Sequence, residues 1–330
     1  MSGVESITVD RDEAGMRLDR WFKLHYPGLG FGHLQKLLRS GQIRVDGGRA
    51  KTSTRLAAGQ SVRVPPVQTG DKSRPAPQTP ATMRDRRDED VLKANMLYED
   101  DQVFVLNKPA GLAVQGGSGV NRHVDGMLEA FRDRKGQKPR LVHRLDRETA
   151  GVLVIARTRS AAAFLGKAFK DRKTRKTYWA LVKGVPKKRS GRISTYLVRD
   201  ETGERMRVAK HGEPDADHAV STYAVVDQAG SRLAWLMMRP VTGRTHQLRL
   251  HAAHIGHPII GDPKYFDVDN WELPGGIQNR LHLLARRIEI PHPDGGMIDV
   301  TAPLPPHMQQ SWAVLGFDEK TGDEVGEHTS

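Results

Sequence analysis

The 330-residue chain contains no cysteine. Disulfide frameworks, thiolate metal sites and cysteine nucleophiles are therefore excluded. Long apolar runs are missing as well, and no uninterrupted stretch approaches the ~20 residues of a membrane-spanning helix. The first residues, MSGVESITVDRDEAG, lack the basic start and apolar stretch of a secretory signal. The expectation is a soluble, cytoplasmic protein with no membrane partner. There is neither an internal repeat nor a glycine-rich nucleotide-binding motif. Acidic residues are in short supply, 39 against 52 Lys and Arg, which gives a net charge of +13 and a pI near 10.0. That balance favours a polyanionic partner. The excess is about +5 over residues 1–65 and about +12 over 92–315, against about 0 over 66–91 and about −4 over 316–330.

The length accommodates two domains. In residues 1–65, Leu18, Trp21, Phe22 and His25 recur at helical spacing. Leu34, Leu37 and Leu38 do so again before Gly41, a helix stop. Ile43 and Val45 then alternate with polar residues up to Asp46-Gly47-Gly48, a hairpin turn, and Val62 and Val64 mark another strand. Residues 66–91, rich in proline and charge, read as a flexible linker, and residues 316–330 as a disordered acidic tail. Residues 92–315 form the large domain. Strands are predicted at 103–106, 152–155, 178–182, 221–226 and 233–238, and helices at 160–172 and 245–255. The fold class is α+β, dominated by antiparallel strands.

The most informative segment is LVHRLDRETAGVLVIART, residues 141–158. A turn carries one carboxylate, Asp146, two residues from Arg144, and leads into the β-branched run of a buried strand. Taken alone, Asp146 is either a functional carboxylate or an ordinary turn residue paired with an arginine. The longer segment resembles the HRLDxxTSG signature of the RluA-type pseudouridine synthases, with Ala150 where that pattern has Ser. Three further segments match in order. LNKPAGLAVQGG (106–117) resembles the family's first motif, in which Lys108 reads as an ordinary loop residue. KTYWALVKGVP (176–186) resembles the segment that carries the active-site tyrosine, here Tyr178, although a tyrosine in a strand is also commonly core. PVTGRTHQLRLHAAHIGHPIIGD (240–262) resembles the segment that carries the arginine partner of the catalytic aspartate, here Arg249. The N-terminal RLDRWF, LQKLLRSGQIRVDG and GQSVRV resemble the small alpha-L RNA-binding domain of a ribosomal small-subunit protein. ERMRVAKHGEPDA (204–216), with that attached domain, resembles the RluC-like branch that acts on large-subunit (23S) ribosomal RNA.

The resemblance implies the pseudouridine synthase fold, a mixed and mainly antiparallel sheet with a central cleft, beside a small N-terminal α/β RNA-binding domain. It implies a monomeric enzyme that needs no cofactor and no metal and takes ribosomal RNA as substrate. Asp146 would begin the isomerisation, either by attack at C1′ of a flipped uridine or by taking a proton from C2′. Arg249 would keep Asp146 ionised and hold its rotamer through a fork of donors. Tyr178 would stack on the base and take part in removing the C5 proton. Arg144 would fill the gap left by the flipped uridine, Leu248 would wall the base pocket, and Arg244 and His246 would contact phosphate or ribose. Lys36, Arg39 and Arg44 would face RNA phosphates, the alternative being ordinary solvated charge. His246, His251, His254 and His257 also raise a metal reading, which the missing carboxylate-bearing motif disfavours. Two other function classes remain. An RNA-binding assembly factor would need only the basic surfaces. A nucleoside hydrolase would need a second carboxylate, for which Glu148 and Asp262 are the nearby residues.

Overall fold

The computed structural model describes residues 4–10, 13–26, 28–67, 83–117, 120–133, 136–203, 205–266 and 271–328. The small domain contains β1 (Glu5–Thr8), α1 (Leu18–His25), α2 (Phe31–Arg39), β2 (Arg44–Val45), β3 (Gly48–Arg49) and β4 (Ser61–Val64). Its four strands align in the order β1-β4-β2-β3. Leu18, Trp21 and Phe22 of α1 meet Leu34, Leu37 and Leu38 of α2 and Val62 and Val64 of β4 in a single core. The hairpin turn falls at Asp46 and Gly47, both left-handed at φ 48° and 76°, as a two-residue turn of matching twist requires. Strand β1 was not foreseen, because its sequence ESIT carries a single apolar residue.

In the large domain, α3 (Met83–Ala94) precedes β5 (Met96–Glu99), β6 (Val103–Lys108), α4 (Val124–Met127), β7 (Arg140–Leu141) and β8 (Ala150–Ala156). Then come α5 (Arg159–Lys170), β9 (Arg175–Lys183), β10 (Ser190–Arg199), β11 (Met206–Val208), β12 (Asp217–Ala229), β13 (Leu233–Pro240) and α6 (Gln247–His254). The chain closes with β14 (Leu283–Pro291), β15 (Met297–Thr301), α7 (Pro306–Leu315) and α8 (Glu319–His328). One 11-stranded sheet runs β11-β10-β12-β13-β9-β14-β8-β6-β5, with β15 on β14 and β7 on β8.

Among the described strands every pairing is antiparallel except β14 with β8, where Leu284 and Ala285 lie beside Ala150 and Gly151. Gly151 is essential to this junction. At φ 110° an added Cβ would lie 2.2 Å from the Ala285 carbonyl oxygen, a contact no side chain tolerates. The antiparallel halves of the sheet therefore meet at one parallel seam.

Alternation along the strands sorts side chains onto two faces. One face gathers Val152, Val154, Trp179, Leu181, Trp235 and Leu284 into the largest core, which α5, α7 and α8 help to cover. The other face carries separate smaller cores, two of which flank the cleft. The first packs Leu106, Leu153 and Ile155 with Val124 and Leu128, and the second packs Ala180, Val182 and Leu236 with Leu248 and Ala252 of α6. Tyr178 touches both. A cleft opens where these two cores fail to merge.

Two expectations are corrected. Of the segment taken as a flexible linker, 68–82 lie outside the described residues, but α3 is ordered. Val91 packs against the core and Asp88 pairs with Arg122 at 2.8 Å. The tail taken as disordered forms α8. Its Glu319 and Asp323 pair with Arg286 at 2.9 and 2.8 Å, and Gly322 sits so close to Trp235 that a Cβ would approach it to 2.3 Å. The acidic composition thus reports a partner within the chain.

Candidate active site

The cleft encloses about 540 Å³ and is lined by Asp146, Tyr178, Leu248 and Arg249, with Arg144 and Arg244 at its rim. That volume lies within the usual range of small-molecule pockets, ~300–1,000 Å³. Elements from across the large domain converge here. The loop before β8 carries Arg144 and Asp146, and β9 carries Tyr178. The turn after β13 carries Arg244 and His246, α6 carries Leu248 and Arg249, and Leu283 opens β14.

Asp146 sits in a loop held from beneath by a lysine. Lys108, only 1% exposed at the end of β6, donates to the carbonyls of Pro109, Leu112 and Arg147 at 3.0, 2.8 and 3.0 Å. Three acceptors match the three protons of an ammonium. Burial pushes Lys108 down to about 7, and the charges of Glu148 and Asp146 oppose that fall. The ordinary-loop expectation for Lys108 is corrected: it fastens the first motif to the loop of Asp146. On the other side, His143 accepts the Val154 N–H through Nε2 at 2.8 Å and stacks on Phe169 at 4.7 Å. Burial, with Lys176 nearby, pushes its pKa down to about 3, so the ring stays neutral.

Arg249 is brought to Asp146, but its fork of donors points elsewhere. Nη1 lies 3.5 Å from Asp146 Oδ2, whereas Nε and Nη2 donate to the two oxygens of Asp262 at 2.7 and 2.6 Å. The expectation that this fork holds Asp146 is therefore corrected. Asp262 is fully buried and also accepts the backbone N–H groups of Lys264 and Tyr265. Burial disfavours the Arg249 charge, yet the Asp262 carboxylate more than offsets this and holds the guanidinium above its ordinary value. The buried pair leaves one arginine edge for Asp146, whose side chain remains 19% exposed to the cleft. The preceding Gly261 (φ 68°) is obligatory, because a Cβ would fall 2.0 Å from the Arg280 carbonyl oxygen. The sequence offered Asp262 only as a nearby second carboxylate and gave no sign of its pairing with Arg249. Its one local mark was a Gly-Asp pair closing the apolar Pro258-Ile259-Ile260.

Tyr178 faces the cleft beside Asp146. Burial, reinforced by the Asp146 charge, pushes its hydroxyl above the usual tyrosine range. At neutral pH it is a phenol, suited to stacking and donation and poorly suited to act as a resting base. Leu248 lines the cleft from α6. Arg144 is exposed, and among the described residues no hydrogen bond or ion pair engages its guanidinium. Arg244 leans toward β12, with Nε on the His218 carbonyl at 3.3 Å and Nη1 on Asp217 at 3.3 Å. Lys170, Arg172 and Lys176 add cations that the sequence had not singled out.

The turn into α6 is pinned by Gln247, also missed. Its oxygen accepts from Thr242 Oγ1 and the Arg244 N–H at 2.6 and 3.0 Å, and its amide donates to Val220 O and Ser221 Oγ at 2.9 and 2.8 Å. His246 is left-handed at φ 54°. His251 and His257 of this segment point to separate partners, His251 to Ser221 and Thr195, and His257 to the Lys183 carbonyl. In the small domain, Lys36 and Arg39 are exposed on α2 and do not line this cleft. Arg44 is partly committed to its own turn, with Nε on Gly41 O and Nη1 on Gly47 O.

Comparison with known proteins agrees with this architecture. The family described as "RNA pseudouridylate synthase" matches residues 102–254, which span the Asp146, Tyr178 and Arg249 segments. The chain is 35% identical over 314 residues to "Ribosomal large subunit pseudouridine synthase C" of Vibrio cholerae, covering 93% of this chain and 96% of that one. It is 36% identical over 309 residues to the protein of that name from Escherichia coli, covering 91% and 93%. Among solved structures it is similar to "Human RNA Pseudouridylate Synthase Domain Containing 4", with a TM-score of 0.61 and 27% identity, over 71% of this chain and 97% of that chain.

Proposed function

We propose a substrate and a division of labour for this chain, which belongs to the RNA pseudouridylate synthase family and isomerises uridine in RNA to pseudouridine. The substrate is large-subunit ribosomal RNA. The relatives that share 35–36% identity over nearly the whole chain carry that substrate in their names, and the net charge of +13 suits a polyanion. The working form is a cytoplasmic monomer, and no described helix is long and apolar enough to cross a membrane.

One observation carries the mechanistic reading. A single carboxylate, Asp146, opens onto a cationic cleft while the second nearby carboxylate, Asp262, is fully buried under Arg249. A hydrolase would want both carboxylates on the substrate with room for water. Isomerisation wants one. Uracil leaves C1′, turns, and returns through C5, so the reaction balances without an oxidant, an imported group or a cofactor. Asp146 starts it at C1′ or C2′ of a flipped uridine. Arg249, locked by Asp262, offers one N–H edge to Asp146. Tyr178 stacks on the base as a phenol, and Leu248 walls the pocket. Arg144, Arg244 and His246 meet the ribose and phosphates, and Lys36, Arg39 and Arg44 of the small domain add phosphate contacts.

The test is chemical mapping of pseudouridine in large-subunit ribosomal RNA from cells lacking this protein. Sites should be lost, then restored by the wild-type chain and not by Asp146→Asn. An unchanged map would remove the proposed substrate, and restoration by Asp146→Asn would remove the assigned initiator.

A further inference from the structure

His246 and Tyr265 form a pair whose protons can be placed. The Tyr265 hydroxyl oxygen receives the Met206 backbone N–H at 2.9 Å and lies 3.0 Å from His246 Nδ1. The proton of a phenol lies in the ring plane, which offers two directions at the oxygen. Met206 can only donate, so it takes one direction as an accepted bond. The Tyr265 proton takes the other, toward Nδ1. Nδ1 is then the acceptor, and the proton of the neutral imidazole sits on Nε2. The ring lines the cleft with Asp146, while Tyr265 lies outside it. The edge away from Tyr265 is therefore the cleft edge.

We propose that Tyr265 is a positioning residue that fixes His246 as a neutral Nε2–H donor to an oxygen of the uridine nucleotide held beside Asp146. The inference rests on the reading of the cleft as a uridine site. Met206 heads β11, so docking of the β10–β11 hairpin completes the arrangement. Tyr265 also lies under the Arg249 guanidinium, 5.4 Å from the ring centre, which joins the donor to the Asp262–Arg249 pair. Several groups face His246. Burial is the largest influence and lowers its pKa. Asp146 and Asp262 favour the charged ring, and Arg249 and Lys264 disfavour it. A charged imidazole would set a second proton on Nδ1 against the Tyr265 proton, so the hydroxyl adds a local reason for neutrality.

Nitrogen-15 spectra of the full-length protein labelled on histidine read the tautomer directly, with His246 identified by its loss in His246→Gln. The expected pattern is protonated Nε2 and bare Nδ1. In Tyr265→Phe the ring and its volume remain, and His246 should become a mixture of tautomers. The acid limb of that variant's activity should move to higher pH than in the wild type, because protonation of Nδ1 no longer meets the hydroxyl proton. Two substitutions at 246 supply an independent reading. A Gln amide places a donor near the Nε2 position and should retain most of the rate with no acid loss. An Asn amide reaches only the Nδ1 position and should lose about tenfold or more in kcat/KM, the scale of one hydrogen bond. Protonated Nδ1 in the wild-type protein overturns the proposal, whatever the substrate proves to be. So does a Tyr265→Phe protein with unchanged spectra and pH profile, or equal rates for the Gln and Asn variants. If the spectra agree and no variant isomerises uridine, the failure lies with the reading of the cleft.

Discussion

The two faces of the central sheet are built from the same strands and do opposite work. Tyr178 and Trp179 are neighbours in β9, yet one opens onto the cleft and the other is 1% exposed beneath α7 and α8. On the covered face Trp179, Trp235 and Trp312 pack edge to face, with ring centres 4.7 and 5.2 Å apart, and the Arg286 guanidinium lies 4.0 Å over Trp179. On the cleft face two smaller cores stop short of each other, leaving charged groups on the floor between them. A single continuous core stabilises the sheet. A divided one leaves room for a nucleotide.

If that division holds, substitutions on the two faces should separate activity from stability. The largest effect expected is on the cleft face: Asp146→Asn should abolish turnover while leaving the urea midpoint nearly unchanged. Its side chain is partly solvated and its contact with Arg249 is long. Trp312→Ala on the covered face should do the reverse, lowering stability by about 3–5 kcal/mol while the folded fraction keeps its rate per molecule. Denaturant titrations paired with single-turnover rates check both. A Trp312→Ala protein that is stable but inactive would break the comparison.

Asp262 lies where the two roles coincide. It is buried like a core residue and acts on the cleft through Arg249. Asp262→Asn should therefore lose stability and activity together. Leaving the guanidinium without its buried carboxylate costs about 3–5 kcal/mol, and the released arginine no longer presents a fixed edge to Asp146. Arg249→Lys should behave similarly, because an ammonium cannot make the two-pronged contact. If either variant lost stability alone, Asp262 and Arg249 would belong to the scaffold and not to the reaction.

Acid should affect both faces. His282, under α7 against Ser311, and His251, on the cleft side against Ser221 and Thr195, are buried as neutral rings, and burial holds each near about 4. A depressed folded pKa means that the contribution is present above the unfolded value of about 6.5 and is lost as pH falls toward 4. For His282 the loss is on the order of 3 kcal/mol, and less for the partly screened His251. Urea midpoints should fall steeply between pH 6.5 and 4. A flat profile over that range would mean that these rings are protonated without cost.

Much of this division was legible in the sequence, but unevenly. The strands that alternate or run apolar, such as Val152–Ile155 and Leu233–Met238, announce themselves by period. Strand β14 does not, because Arg286 and Arg287 interrupt its apolar run and the reason for them lies in α8 and at Asp299. Asp146, Tyr178 and Arg249 were legible as motif residues, and the fold brings all three to one cleft. Asp262, Gln247, Lys108 and Tyr265 were not. Each acts by holding another residue or a backbone carbonyl, and such roles have no signature until distant segments are folded together. The acidic tail was misread for the same reason, since its partner Arg286 sits far away in sequence.

The smallest effect separates chemistry from affinity. The small domain has its own core, and Lys36 and Arg39 are exposed cations on its α2. Replacing both with Ala should leave the rate on a saturating short RNA unchanged. Binding to ribosomal RNA should weaken, because neutralising fewer phosphates releases fewer counterions. The slope of log affinity against log salt should become shallower by roughly 0.7–0.9 for each phosphate no longer neutralised. Arg44→Ala gives a contrasting result. Its guanidinium already holds Gly41 and Gly47, so its removal should loosen the hairpin and lower the small domain's stability more than it alters the salt slope. Binding curves for both variants across a salt series distinguish these outcomes. Equal slopes for the wild type and the Lys36/Arg39 double variant would show these two cations to be solvated charge, and RNA affinity would then rest on other basic groups.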